Sequence, residues 1–129
     1  MPNKSPNLEN PKYDLVERTA TFGEDIIDFV QTLDRGEINK PLISQLIRSG
    51  TSVGANYMEA DAGESKKDFE HKLGIARKEA KETMHWLRMI ARANPAKQQE
   101  CRKLWKEAQE LVFIFSSIIK KSRDKKWLE

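Results

Sequence analysis

Two short patterns place an acidic residue three positions before a histidine, the spacing at which di-iron helical bundles hold their metals. Glu82 precedes His85, and Asp68 precedes His71. Di-iron sites need this motif on two different helices, with all ligands projecting inward. Here both copies fall on one predicted helix, and Glu82, His85 and His71 point roughly 140–200° away from its apolar face at 100° per residue. We therefore expect solvated side chains, with no metal and no cofactor.

The remaining nucleophiles and loops do not predict a reaction. Cys101 is the single cysteine, which excludes a disulfide framework and a cysteine-based zinc site, and its place near a helix start indicates a packed thiol. The segment Gly50–Gly54 lacks the lysine and the spacing of a phosphate-binding loop. Because the pattern contains no serine–histidine–aspartate set and no pair of inward carboxylates, we expect no enzymatic activity.

Positive charge has a clearer chemical meaning, because it is concentrated in one half of the chain. Residues 1–65 carry 6 Lys and Arg against 11 Asp and Glu, whereas residues 66–129 carry 17 against 9. This asymmetry indicates an acidic partner such as nucleic acid, because phosphates that bind cations release counterions. Solvated helix faces are the alternative interpretation.

The predicted nucleic-acid contacts are cations on one flank of the third predicted helix and in the C-terminal run: Arg77, Lys81, Arg88, Arg92, Lys120, Lys121, Arg123, Lys125 and Lys126. Trp127 follows the run and could stack on an unpaired base. Three carboxylates, Glu70, Glu79 and Glu82, alternate with the cations of the helix and weaken a continuous phosphate track.

These residues must be positioned by helices, since apolar residues recur at intervals of three and four in four segments. The predicted helices cover about 14–33, 41–62, 66–92 and 95–120. Ser65 caps the third helix with Asp68 three residues later, and Asn94-Pro95 supplies a cap and a first-turn proline for the fourth. Short connections favour an all-α, antiparallel up-down-up-down four-helix bundle over residues 13–122. Residues 1–12 are predicted to be a flexible tail, and residues 123–129 a basic tail.

The candidate core is one apolar stripe from each helix: Leu15, Thr19, Phe22, Ile26, Phe29 or Val30, Leu33, Ile43, Leu46, Ile47, Val53, Tyr57, Phe69, Leu73, Ala76, Ala80, Met84, Leu87, Ala91, Cys101, Leu104, Ala108, Leu111, Phe115 and Ile118. Glycines 50 and 54 cost the second helix roughly 2 kcal/mol of propensity relative to alanine, which close approach of another helix would offset.

Other apolar residues point outward, which predicts self-association. The expected oligomer interface combines these residues with an outward stripe on the second helix: Arg48, Ser52, Ala55, Glu59, Ile75, Trp86, Met89 and Phe113. A membrane protein is excluded, because 33% of the residues are charged and no run of about 18 apolar residues exists. Residues 1–12 lack an apolar signal core, so we expect a cytoplasmic location.

Several motifs resemble one protein family. The segment 47–60 (IRSGTSVGANYMEA), the segment 65–69 (SKKDF), the segment 72–83 (KLGIARKEAKET) and Trp86-Leu87-Arg88 resemble the four-helix-bundle proteins encoded in intervening sequences of bacterial 23S ribosomal RNA genes. The family typically has isoleucine where this chain has Val53 and Tyr57, which suggests local repacking.

The resemblance implies a homo-oligomer, because the family is similar to the accessory protein of diversity-generating retroelements. That protein forms a basic homopentameric barrel and binds nucleic acid and its reverse transcriptase. This chain would then be a homopentamer with RNA, DNA and a reverse-transcriptase-like or other protein as possible partners. The family offers no catalytic residues to carry over, and fold analogy alone does not define function.

Two functions are consistent with the sequence. The first is a non-enzymatic, oligomeric accessory protein that binds RNA or DNA through basic surfaces. The alternative is a protein-interaction scaffold that docks an acidic protein without nucleic acid.

Overall fold

The fold consists of helices joined by short connections. The computed structural model describes the backbone of residues 11–125 and the side chains of residues 15–124. Its helices are α1 (Pro11–Val30), α2 (Asn39–Asp61), α3 (Lys66–Ala93) and α4 (Gln98–Lys125), with a single 3₁₀ turn at Pro95–Lys97. No strand occurs within residues 11–125, so the described part of the chain is all-helical.

Both terminal helices extend beyond their predicted limits. α1 begins at Pro11, where the missing amide proton costs nothing in a first turn, so residues 11–13 are helical. α4 continues to Lys125, so residues 123–125 of the expected basic tail are helical as well. The rest of the two expected tails, residues 1–10 and 126–129, lies outside the described residues.

The ends of α3 differ in how they satisfy their backbone groups. At the start, the Ser65 hydroxyl accepts a hydrogen bond from the Asp68 amide at 3.0 Å, as the capping pattern predicts. At the other end, the prediction that the Asn94 side chain caps α4 is wrong. Asn94 instead donates to the Ile90 carbonyl and exchanges two 2.9 Å amide hydrogen bonds with Asn39. Its polar atoms therefore close α3 and tie it to the first turn of α2.

A shared apolar core holds the helices together. Phe22, Ile26, Leu46, Leu87 and Phe115 are among its fully buried side chains. Most of the predicted core residues are buried, and a smaller group packs at the edge of the core: Ile47, Phe69, Met84, Ala91 and Ile118. Burying each large apolar side chain contributes roughly 1.5–3 kcal/mol, so the core dominates the stability of the fold.

The two glycines of α2 allow α1 to approach closely. A β-carbon at Gly50 would lie 3.0 Å from Ile26, and one at Gly54 would lie 3.2 Å from the backbone oxygen of Thr19. The neighbour of Gly50 is a side chain, whereas the neighbour of Gly54 is helix backbone that cannot rotate away. The sequence prediction that another helix covers these glycines is therefore confirmed, with α1 as that helix.

We predict that Gly54→Val lowers the free energy of unfolding by about 1–3 kcal/mol, the usual cost of overpacking a tight contact. Gly74→Val is the matched control, because a β-carbon at Gly74 meets nothing within 4 Å. That control should change stability by less than about 0.5 kcal/mol, since valine and glycine differ little in helix propensity. Urea denaturation followed by circular dichroism measures both, and equal effects would contradict the close-packing argument.

Candidate nucleic-acid interface

A groove runs between α3 and α4 near the connection that joins them. It encloses about 610 Å³, within the range of small-ligand sites. We call it the basic groove, and it is lined by Leu87, Arg88, Ala91, Gln98, Cys101, Arg102, Trp105 and Lys106. Its lining combines cations with apolar groups and includes no carboxylate.

The helical repeat explains this division between cations and apolar groups. On α4, Cys101 and Trp105 are one turn apart and face α3, whereas Arg102 and Lys106 follow each by one residue and turn toward solvent. On α3, Leu87 and Ala91 are also one turn apart, and Arg88 stands beside them. The result is an apolar floor with a cationic rim.

The rim cations have no internal counter-charge. Arg88, Arg102 and Lys106 are exposed, and none of them forms an ion pair within residues 15–124. Some cations elsewhere in the molecule are neutralised: Arg18 pairs with Glu107 at 2.7 Å, and Lys72 pairs with Glu59 at 2.7 Å. The positive charge of the groove is therefore free to attract an anion.

The carboxylates that alternate with cations along α3 do not enter the groove. Glu79 and Glu82 lie on the flank that faces α2, where both bind the guanidinium of Arg48. Glu70 accepts a 2.6 Å hydrogen bond from Ser122. The helix thus separates acidic and basic residues that are mixed in sequence.

Only one of the predicted contacts, Arg88, lines the groove. Arg77 is half-buried and donates to the Ser116 hydroxyl at 3.3 Å. The other predicted contacts with described side chains are exposed, on α3 or the last turns of α4: Lys81, Arg92, Lys120, Lys121 and Arg123. Lys125 is helical, and its side chain lies outside the described residues, as do Lys126 and Trp127.

Sequence reasoning missed three residues of the groove, namely Arg102, Trp105 and Lys106. The signal was available, because two cations four positions apart flank a tryptophan on one side of α4. The charge clusters of α3 and the C-terminus are denser, so they dominate a prediction based on charge alone.

The candidate metal motifs are spread over the surface of α3. His71 and His85 are exposed, and His85 packs edge-on against Trp86 at a ring distance of 4.8 Å. Glu82 accepts a 3.0 Å hydrogen bond from the Trp86 indole and also binds Arg48, and these donors lower the pKa of its carboxyl. No three metal-ligating side chains cluster among the residues whose side chains are described.

The stripe of the expected oligomer interface on α2 is largely engaged within the chain, mostly with α3. Arg48 binds Glu79 and Glu82, and Glu59 binds Lys72. Ser52 donates to the Arg48 carbonyl at 2.6 Å, and Ala55 is exposed. Any partner at this face would meet charges that are already paired.

The apolar part of the expected interface divides into two classes. Ile75, Trp86 and Met89 are half-buried, and Trp86 packs against the edge of the core. Phe113 is 63% exposed on α4. Phe113 is therefore the predicted interface residue with the strongest hydrophobic reason to associate.

Three exposed apolar residues were missed by the sequence analysis. Ile27 on α1, Ile38 before α2 and Met58 on α2 are 40%, 69% and 58% exposed. The helical wheel could have found Ile27, which lies about 140° from Phe22 at 100° per residue. They place further apolar surface on the α1–α2 side of the molecule.

A second groove, of about 580 Å³, lies between α1 and α4, and its charged lining residues are Glu17, Arg18, Asp25, Lys103, Lys106, Glu107 and Glu110. The two helices meet sparsely, and Arg18 bridges them by binding Glu107 and Glu110. The hydrogen bonds that Arg18 donates to Glu107 raise the pKa of its guanidinium. This groove therefore holds carboxylates as well as cations, whereas the lining of the basic groove holds no carboxylate, and Lys106 borders both grooves.

Residues 11–125 thus form an all-helical protein domain with a cation-rimmed groove between α3 and α4. A family model described as 23S rRNA-intervening sequence protein matches residues 12–117. The chain is also similar to a protein of unknown function from the S23 ribosomal protein family of Bacteroides thetaiotaomicron VPI-5482, whose crystal structure is known. The two share 30% sequence identity over 84% of this chain and 97% of that chain, with a TM-score of 0.72.

This chain belongs to the 23S rRNA-intervening sequence protein family, and the resemblance found in its sequence motifs is confirmed. No curated protein matches it. Within residues 11–125, no helix is both long enough and apolar enough to cross a membrane.

Cys101 lies beneath the groove and is 2% exposed, so the expectation of a packed thiol is confirmed. Burial, and secondarily the charge of Glu100, raises the pKa of this thiol from 9.0 to about 11.

We predict that iodoacetamide alkylates the folded protein at pH 8 about 100-fold more slowly than the unfolded chain, because only the thiolate reacts. The rate should keep rising up to about pH 11, and a plateau near pH 9 would contradict the assignment.

Proposed function

We propose that this protein is a non-enzymatic, oligomeric accessory protein that binds RNA or DNA through the basic groove and the exposed cations near it. The observation that carries the proposal is that Arg88, Arg102 and Lys106 line one groove without any carboxylate. Isolated cations in a concave site raise the local concentration of anions. Phosphate contacts of this type depend on salt and carry no sequence information.

The same surface argues for binding over catalysis. The groove presents cations, one amide and apolar groups, and its single nucleophile, Cys101, is protonated at neutral pH because its pKa is raised to about 11. The histidines of α3 are exposed and lie outside the groove lining. This set of side chains holds and positions a polyanion without supplying a general base to react with it.

We also infer an antiparallel, up-down-up-down order of the helices. Asn39 in the first turn of α2 pairs with Asn94 at the end of α3, and Glu59 near the end of α2 pairs with Lys72 near the start of α3. Ser122 near the end of α4 donates to Glu70 near the start of α3. These pairings support opposite directions for neighbouring helices.

Ion pairs neutralise part of the positive charge on the other sides of the molecule. On the α2–α3 side, Arg48 and Lys72 have carboxylate partners, and on the α1–α4 side Arg18 has two. The cations between α3 and α4 remain available. Exposed cations such as Arg35, Lys40 and Lys67 also lie on other elements. The cations of the basic groove differ from them because they line a cavity that holds no carboxylate, which favours binding of a polyanion on the α3–α4 side.

Self-association is part of the proposal, with five copies as the number that the resemblance implies. Phe113 supplies the main support, because a phenylalanine side chain that is 63% exposed remains in contact with water unless another molecule covers it. The exposed side chains of Ile27, Ile38 and Met58 add apolar surface on other elements. A ring of such copies would present several basic grooves to one nucleic acid and increase its avidity.

We predict that Phe113→Glu shifts the protein from oligomer to monomer while its helicity is unchanged, because a charge at a buried interface position lacks a partner. Gln99→Glu is the matched control and should matter less, because Gln99 is exposed near the start of α4, about 21 Å along the helix from Phe113. Light scattering after size exclusion measures the mass, and circular dichroism checks the fold. A monomeric unmodified protein would contradict self-association.

The triple variant Arg88→Gln, Arg102→Gln and Lys106→Gln should weaken binding to a labelled single-stranded RNA and flatten its salt dependence. Losing three phosphate contacts lowers the slope of log affinity against log salt by about 2, since each contributes about 0.7 on a single strand. Fluorescence anisotropy at several salt concentrations measures the slope.

The control for this variant removes three exposed cations elsewhere, through Arg35→Gln, Lys40→Gln and Lys67→Gln. It carries the same net charge, so equal losses in both variants would show that net charge, and not the groove, governs binding.

A competition experiment with polyglutamate tests the scaffold alternative. If it displaces RNA at equal charge concentration and a nuclease-treated lysate yields an acidic protein, the scaffold alternative is favoured.

A further inference from the structure

We propose that the basic groove takes an unpaired nucleotide, with the base stacked on the indole of Trp105 and its phosphates held by the rim cations. The inference rests on the proposed function and adds the class of ligand, a single-stranded segment rather than a duplex. It assigns to Trp105 a role as the stacking platform.

The composition of the groove supports this ligand. Trp105 is half-buried and packs against the core, so its ring is held in place and loses little freedom on binding. Ala91 is half-buried beside it, and the buried side chains of Leu87 and Cys101 support the floor from beneath. A nucleotide has the matching two parts, since a base offers a flat apolar face and a phosphate offers an anion.

The arrangement favours a single strand over a duplex. In a duplex the faces of the bases are covered by their neighbours, and only their edges and the backbone are accessible. An unpaired base can turn its face to an aromatic ring, and such stacking tolerates every base. The floor of the groove would stay empty against a duplex, whose backbone could reach only the rim.

Little sequence preference is expected. Gln98 is the one uncharged polar side chain that lines the groove apart from the thiol of Cys101. Because its amide can both donate and accept hydrogen bonds, it can serve several base edges. Affinity should therefore follow base stacking strength more than base identity.

An acidic peptide is a weaker match to the same surface. Its carboxylates would bind the rim, but an extended acidic segment offers no planar apolar group for Trp105. Both ligands would bind the rim cations, but only the nucleotide would stack on the floor of the groove. An experiment on Trp105 can therefore distinguish them.

The test compares an unstructured oligouridylate of about 12 nucleotides, within the usual site size, with an RNA duplex of the same length. The unmodified protein should bind the single strand more tightly at equal salt. Trp105→Leu should weaken single-strand binding by about 5-fold to 150-fold, the range expected for loss of one stacked base. Duplex binding and the salt slope should change little, because the cations remain. Trp105→Phe keeps an aromatic face and should recover much of the lost affinity.

A second measurement does not depend on how well the leucine variant folds. The chain has three tryptophans, so Trp86→Phe combined with Trp127→Phe leaves Trp105 as the sole indole. Oligouridylate should quench its fluorescence in a saturable manner at the concentrations that anisotropy reports, whereas the duplex should leave it nearly unchanged. Absence of quenching by a bound single strand would overturn the stacking assignment.

The outcomes separate this inference from the proposed function. Equal affinities of the leucine, phenylalanine and unmodified proteins, together with loss of binding in the triple cation variant, would overturn the role of Trp105 and leave phosphate binding intact. Failure to bind either RNA at low salt would overturn both. Polyglutamate could also displace oligouridylate without any change in Trp105 fluorescence. That result would overturn the inference and favour an acidic protein as the ligand.

Discussion

Burial of one apolar stripe from each helix in a shared core is the constraint on which the rest of the structure depends. Once Leu87 and Leu111 turn inward, the repeat of about 3.6 residues per turn decides where every other side chain can point. Arg88 then lies beside the α3–α4 seam, and Glu82 lies toward α2. The core therefore determines the electrostatic pattern as well as the stability.

The seams between helices have different contents as a result. Between α2 and α3, carboxylates and cations pair, and Thr83 donates a buried hydrogen bond to Ser49. Between α1 and α2, glycines allow tight contact. Between α3 and α4, the cations lack partners and a groove remains. Exposed ion pairs of this kind stabilise a fold by only about 0–1 kcal/mol each, so their main consequence is the removal of free charge from those seams.

Much of the fold could be predicted because the information is local. The spacing of apolar residues located the helices, and the Ser65 cap and the interrupted pattern near Gly63 located one of their boundaries. The end of α4 was placed too early, because the lysines that read as a tail are compatible with a helix whose apolar face is still buried at Ile119. The prediction that Asn94 caps α4 is wrong because the cap pattern considers only neighbouring residues. In the folded chain its side chain instead pairs with Asn39, a residue distant in sequence.

The sequence by itself determined the helices, their buried faces and the excess of positive charge in the second half of the chain. Those features follow from periodicity and composition, which need no knowledge of neighbours. Only the tertiary structure decided which cations are free. Glu79 and Arg88 are nine positions apart on α3. Glu79 faces α2, where it pairs with Arg48, whereas Arg88 faces α4, which places Arg102 and Trp105 beside it. Pairing across helices depends on their packing and register, and a single sequence does not record these directly.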